Sequence, residues 1–169
     1  MLEKSPGLCY NKAQIIKIMR ERKMIRKLKK EERQLYFDLA DEFYHSPAVL
    51  HPVPAENYKN TFDELMRSDV YAECFIIEYE GIAAGFGLIS KTFSQESGGL
   101  VIWIEELYIR QQFRSKGLGG EFFEFLEKNR PASRYRLEIE PDNVRARALY
   151  ERLGFEQLDY MQMIKDFKA

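Results

Sequence analysis

The stretch "FRSKGLGGEFFEFLEKN", residues 113–129, places Gly117, Gly119 and Gly120 at the opening of an otherwise strongly apolar helix. A glycine inside a helix costs about 1 kcal/mol relative to alanine, so three together need a reason. Arg114 and Lys116 stand just ahead of them. A helix N-terminus offers unpaired backbone N–H groups and the positive end of the helix dipole, and both favour an anion. Glycine has no Cβ, so a phosphate can come close to those groups. The competing reading is that the glycines only allow tight packing of helix on sheet while the cations face water. This stretch by itself fits both.

Known phosphate loops narrow the choice. A P-loop needs a terminal lysine and hydroxyl that are missing here, and the dinucleotide fingerprint G-x-G-x-x-G fails at Gly117-Leu118-Gly119-Gly120. What remains is R-x-x-G-x-G, from Arg114 to Gly119, between a strand and a helix. The strand is "LVIWIEELYI" (100–109), apolar on both faces. Working outward, "MIRKLK" (24–29) alternates as a first strand, and "KEERQLYFDLADEFYH" reads as a helix with Leu35, Leu39 and Phe43 at helical spacing. "HSPAVLHPVP" holds three of the six prolines and must be irregular. A second helix is expected from about Ala55 to Arg67. "ECFIIEY" and "IAAGFGLISKTF" form a hairpin across "EG". After the glycine-rich helix (about 115–129), "RYRLEIE" is a strand with Tyr135, Leu137 and Ile139 on one face. A last strand or two fills 155–167. The order β, α, α, β, β, β, α, β, α, β makes a mixed α/β layer.

Two further groups carry chemistry. In "NVRARALYERLGF" (143–155), Asn143 sits at or near a helix N-cap, and Ala146, Leu149, Tyr150 and Leu153 share an inward face. Tyr150 is then directed at the protein, either as a core tyrosine or as a site residue. Glu105 and Glu106 lie within the apolar strand. Buried carboxylates need a partner, solvent or a task. Neighbouring strand residues face opposite ways, and a bulge would shift that parity.

Composition excludes several classes. The chain has 169 residues, is 45% hydrophobic and carries a net charge of −1, which suits one domain with a substantial core. No run approaches a membrane span, and the first residues lack a signal-peptide core. Cys9 and Cys74 show no metal-site spacing, so a reduced cytoplasmic setting without a metal is expected. Residues 17–33 hold nine basic and three acidic residues. They contain no aromatic to stack on bases, so a solvated surface is preferred to a nucleic-acid site.

Together the motifs resemble the GNAT N-acetyltransferase superfamily over about residues 24–166: "EELYIRQQFRSKGLGG", then N-x-x-A-x-x-L-Y-x-x-x-G-F. "WIEELYI" followed by "NVRARALYERLGF" looks most like the polyamine (diamine) branch. The resemblance implies a single-domain α/β (α+β) fold over 23–169. Its mixed, mostly antiparallel sheet would be flanked by helices, with a splayed strand pair holding the coenzyme. Residues 1–22 would be an N-terminal extension, helical from Asn11 to Arg22 or frayed. It also implies acetyl-CoA as co-substrate. Leu107, Tyr108 and Ile109 would pair through their backbone with the pantetheine arm. Phe113, Arg114, Ser115, Lys116, Gly117, Leu118 and Gly119 would hold the pyrophosphate, and Asn143 would touch the pantetheine. Tyr150 would protonate the leaving thiolate, and Glu105 matches the general base of the polyamine branch.

The implied reaction moves an acetyl group to the primary amine of a small cationic acceptor, polyamine-like, by direct attack in a ternary complex. A ping-pong route would need an activated cysteine, and Cys74 has no evident base beside it. Asp38, Asp41 and Glu42 share one flank of the first helix and suit such an acceptor, while also fitting an ordinary solvated face. Tyr44, His45 and His51 flank the irregular loop. A protein or peptide N-acetyltransferase and a non-catalytic acyl-CoA-binding module are the alternatives. No nucleic acid or membrane partner is expected, and the resemblance admits a homodimer.

Overall fold

The structure, a computed structural model, describes residues 23–49 and 51–167. The extension expected over 1–22 lies outside the described residues. The chain runs through β1 (Lys23–Lys27), α1 (Arg33–Tyr44), α2 (Ala55–Arg67), β2 (Ala72–Tyr79), β3 (Ile82–Ser94), β4 (Gly99–Ile109), α3 (Leu118–Asn129), β5 (Arg134–Leu137) and α4 (Val144–Arg152). One sheet joins the strands in the order β1-β2-β3-β4-β5. The first three pairings are antiparallel, and β4 with β5 is parallel. The mixed, mostly antiparallel α/β architecture is thus the expected one. The crossover between the parallel strands is the glycine-rich helix α3.

The side-chain period of two divides each strand between two cores. On β2, Cys74 and Ile76 face one way and Phe75 and Ile77 the other, all at most 1% exposed. α1 and α2 cover the first face with Tyr36, Leu39, Ala40, Tyr58, Phe62 and Leu65. α3 covers the second with Leu118, Phe122, Phe123 and Leu126. Both faces are covered, which is why β2 and β4 read as near-continuous apolar runs.

Two glycines of β3 set the spacing. A Cβ on Gly87 would lie 2.2 Å from the Phe122 ring, and one on Gly85 would lie 2.0 Å from the Tyr108 carbonyl oxygen. α3 therefore rests on the sheet through Phe122 at a point left bare by Gly87. Its C-terminal end is held by Arg130, whose guanidinium binds the buried Glu73 carboxylate at 2.6 and 2.8 Å, with Lys91 completing the group at 2.6 Å.

Two expectations shift. "RYRLEIE" is a strand only as far as Leu137, and the glycine-rich helix opens at Leu118. No strand forms over 155–167: Phe155 is half-buried and the residues after it are exposed. A strand needs a ladder partner, and these residues pair with no strand edge among the described residues.

Gly87→Ala should lower the unfolding free energy by about 1–3 kcal/mol through overpacking against Phe122. The shift should appear in the urea midpoint at an unchanged slope. An unmoved midpoint would show that the ring yields freely.

Candidate functional site

β4 and β5 pair only from Val101 with Arg134 to Ile104 with Leu137. Beyond that, β4 runs on to Ile109 while the other chain turns through Pro141 into α4. The two strands splay, and the edge of β4 from residue 105 to 109 faces an opening with no strand opposite it among the described residues.

A cavity of about 510 Å³ occupies that opening. Leu107, Tyr108 and Ile109 form one wall, and Asn143, Ala146, Leu149 and Tyr150 of α4 form another. Phe43, Ser46, Pro47 and Ala48 close the side next to α1. Phe113, Arg114, Ser115, Gly117, Leu118 and Gly119 line its mouth. The structure thus gathers all the expected coenzyme residues except Lys116. That ammonium lies 4.6 Å from the centre of the Tyr79 ring.

The mouth has the features of an anion cradle. Ser115 and Gly117 are left-handed, with φ of 63° and 81°, a conformation uncommon for a serine. Gly117 is the N-cap of α3, so the N–H groups of Leu118, Gly119 and Gly120 have no carbonyl within the helix. A Cβ on Gly119 would come within 2.9 Å of Leu149, whereas Gly120 has open space around it. Gly119 therefore serves the approach of α4 as well as the cradle. The Arg114 side chain donates to the Ile109 carbonyl at 2.9 Å, at the end of β4.

Arg145 was not singled out from the sequence. Its guanidinium donates to the Ser115 hydroxyl at 3.2 Å and joins Arg114 at the mouth. The sequence did carry a signal for it. A cation in the first turn of a helix opposes the dipole, and the first turn of α4 contains Arg145 and no acidic residue.

α4 is seated as expected. The Asn143 side chain accepts from the Ala146 N–H at 3.1 Å and caps the helix. Tyr150 packs edge-on to Phe123 at 5.7 Å between ring centres, with Phe155 on its other flank at 5.8 Å. Burial pushes its hydroxyl up to about 12, so the phenol is protonated at neutral pH.

A bulge decides the fate of the two carboxylates. Leu88 pairs with Glu106 and Ile89 with Ile104, which leaves Glu105 as the extra residue. Parity is thereby reset at this point. Glu105 is exposed and accepts from the Ser90 hydroxyl, and Ser90 pairs with Trp103. Glu106 turns into the α1–α2 core, 8% exposed, and accepts from the Tyr44 hydroxyl at 2.6 Å. Its second oxygen is buried without a hydrogen-bond partner. Burial, with a smaller contribution from the Glu105 charge, raises the Glu106 carboxyl to about 7 despite the bond from Tyr44. Tyr44 stacks on Tyr58 at 5.6 Å, and its own hydroxyl is raised by burial and the Glu106 charge.

The acidic flank of α1 is partly neutralised. Glu42 binds the Arg110 guanidinium at 2.6 and 2.8 Å, and Arg110 also donates to the Ala83 carbonyl. Asp41 lies 3.3 Å from His45, and Asp38 accepts from Gln34. His45 and His51 are exposed. Cys74 is fully buried, and burial raises its thiol well above the usual range. Among the described residues no cluster of His, Cys, Asp and Glu could hold a metal ion, and no helix is long and apolar enough to cross a membrane.

The family model described as the acetyltransferase (GNAT) family matches residues 32–155. The chain belongs to this family and is an acetyltransferase. Solved structures share the fold across nearly their full length. A possible acetyltransferase from Clostridium difficile 630 superposes with a TM-score of 0.73 at 15% identity, over 87% of this chain and 99% of that one. The aminoglycoside N-acetyltransferase AAC(6')-Iy, in complex with CoA, gives 0.69 at 17% identity, over 86% and 95%. Glucosamine-6-phosphate N-acetyltransferase from Arabidopsis thaliana gives 0.63 at 24% identity, over 88% and 100%.

The raised Glu106 carboxyl makes stability depend on pH. Between the ordinary value of 4.5 and about 7, the folded chain holds a proton that the unfolded chain releases. Unfolding free energy from this group therefore falls as pH rises through that window, by at most about 1.4 kcal/mol per pH unit. Glu106→Gln keeps an acceptor for Tyr44 and cannot ionise. It should match the wild type near pH 5 and exceed it above pH 7 in urea unfolding. Parallel pH curves for the two proteins would overturn the assignment.

Proposed function

We propose that this acetyltransferase carries an acetyl group from acetyl-CoA to the primary amine of a small cationic acceptor, by direct attack within a ternary complex. The observation that carries the reading is the single cavity shared by the bare edge of β4, the glycine-opened end of α3 and the Asn143–Tyr150 face of α4. A thioester donor with a pantetheine arm has amides for a strand edge and a pyrophosphate for a helix N-terminus. The chain supplies both within one opening. Arg114 and Arg145 face the phosphates, with Ser115 held between backbone and Arg145.

The chemistry follows from the groups around that opening. An alkylammonium has a pKa near 10.4 and must lose a proton to become a nucleophile. Glu105 is exposed on the sheet and meets the acceptor's charge. Glu106 takes the proton through Tyr44, whose hydroxyl already donates to it at 2.6 Å. The amine nitrogen then bonds to the thioester carbonyl carbon, and a backbone N–H of β4 meets the developing oxyanion. The C–S bond breaks, and Tyr150 gives its proton to the departing thiolate. Amide and coenzyme thiol are the products. The acidic flank of α1 contributes less than the sequence suggested, because Arg110 neutralises Glu42. Direct transfer is preferred because Cys74 is sealed in the core with a raised thiol.

Thiol release from acetyl-CoA against a panel of diamines, polyamines, amino sugars, amino acids and peptides tests the reading. Turnover is expected with small cationic amines. Turnover confined to peptides would replace the acceptor class, and coenzyme binding without turnover on any amine would leave a binding module. Tyr150→Phe should lower kcat by about 10²-fold or more while coenzyme affinity changes little. Undiminished turnover in that variant would remove Tyr150 as the acid.

For the wild type, kcat/KM should climb with pH through about 7, where Glu106 ionises. The limb should vanish in Glu106→Gln. Retention of the limb in that variant would place the base elsewhere.

A further inference from the structure

The carboxylate of Glu106 depends on one donor. The Tyr44 hydroxyl reaches one oxygen at 2.6 Å, and the other oxygen is buried with no partner among the described residues. A buried carboxylate that loses its donor keeps the full cost of its own desolvation. The other titratable groups that face it are Tyr36 of α1, Tyr58 of α2 and Cys74 of β2, with Glu105 beside it on β4. Farther out, Asp41 faces Tyr58 and Glu32 acts on Cys74. None of these is a cation, and none donates to the carboxylate in place of Tyr44.

Tyr44 is weakly fixed by its own helix. It is the last residue of α1, in the turn whose carbonyls have no partner within the helix. Packing holds the ring instead. Tyr58 stacks on it at 5.6 Å between ring centres, with 27° between the planes, and Phe43 meets it edge-on at 5.1 Å. Phe43 shares the end of α1, whereas Tyr58 comes from α2, on the buried stripe Tyr58, Phe62 and Leu65. Tyr58 is 6% exposed, and Phe62 packs on Tyr36 at 5.9 Å. A well-packed helix thus lays a flat ring against a residue at a helix end. The cavity beside β4 is lined by Phe43 but by neither Tyr44 nor Tyr58.

We propose that Tyr58 is a positioning residue, whose ring holds Tyr44 against Glu106 and keeps the hydroxyl aimed at the carboxylate that receives the acceptor's proton. In that relay the Tyr44 oxygen takes the ammonium proton as it hands its own to Glu106, so the phenol ends as it began. Both transfers need the hydroxyl in one place, and Tyr58 sets that place from a second helix. The catalytic consequence rests on the relay proposed above, whereas the positioning of Tyr44 does not.

Tyr58→Leu removes the flat ring, and Tyr58→Phe keeps it. Burial raises the Glu106 carboxyl and the Tyr44 bond lowers it, so a misplaced Tyr44 should let it rise further. The first readout needs no turnover: unfolding free energy in urea against pH, each protein compared with its own Glu106→Gln form. In the wild type the stabilising proton is lost as pH climbs to about 7. In Tyr58→Leu that loss should move about one pH unit higher, and in Tyr58→Phe it should stay. The rise of kcat/KM with pH should move with it, with kcat about 10-fold lower and coenzyme affinity unchanged. In a Tyr44→Phe background, Tyr58→Leu should move the unfolding curve no further. An unmoved unfolding curve in Tyr58→Leu, or a further move in the Tyr44→Phe background, would overturn the proposal. Near-UV circular dichroism checks folding, and Tyr58→Met takes the place of Tyr58→Leu if that chain does not fold. Failure of both to fold would make Tyr58 a core residue and overturn the positioning role. The expected shift in a protein inactive on every amine would keep that role and count against the acetyl-transfer reading alone.

Discussion

The pairing of β4 with β5 ends after four residue pairs, and the site depends on that ending. Had β5 continued beside β4, the backbone of residues 105–109 would be spent on a ladder and the opening would not exist. Pro141 and the Asn143 cap draw the chain away into α4 instead. The bare strand edge is normally a liability. Here it is enclosed by α4 on one side and by the turn after α1 on the other, so it faces a cavity and not a neighbouring molecule. Gly119 allows the enclosure, since any side chain there would press on Leu149.

The bulge opposite Leu88 and Ile89 is the second constraint. Without it, Glu105 and Glu106 would alternate across the sheet, one into each core. With it, Glu106 meets Tyr44 in the α1–α2 core, and Glu105 remains exposed beside Ser90 and Trp103 on β3 and β4. One carboxylate is thereby held near neutral pH by burial while its neighbour stays wet. Environments that differ across one peptide bond let a single strand offer one buried and one exposed carboxyl group. In the function proposed above, the same strand supplies the edge for the donor, so donor and acceptor chemistry share one rigid element.

Much of this was legible in the sequence, and the part that was not has physical causes. Helix α2 and the hairpin of β2 and β3 follow from periodicity and from Glu80-Gly81 at positive φ. The glycine-opened helix and the Asn143 cap follow from local backbone chemistry, which composition records directly. The Glu106–Tyr44 bond joins residues 62 apart, and no local pattern reports such a contact. Parity in β4 turned on one extra residue, which periodicity cannot locate. The acidic flank of α1 was visible, but its neutralisation by Arg110 depends on how β4 ends against that helix. The expected strand at 155–167 had the apolar residues for it, but its backbone bonds to no strand among the described residues.

Arg114, Arg145 and the N-terminus of α3 converge on one mouth in a chain whose net charge is only −1. Glu105 and Glu106 lie on the sheet face next to α1 and α2. The mouth beside α3 therefore carries a local positive charge that the small net charge of the chain hides. In the function proposed above, a polyanionic donor is drawn toward that mouth before it makes contact. Dissolved ions weaken the attraction beyond about 10 Å at 0.1 M salt. In that reading the ionic surroundings act on the rate of the donor's approach more than on the strength of its final contacts.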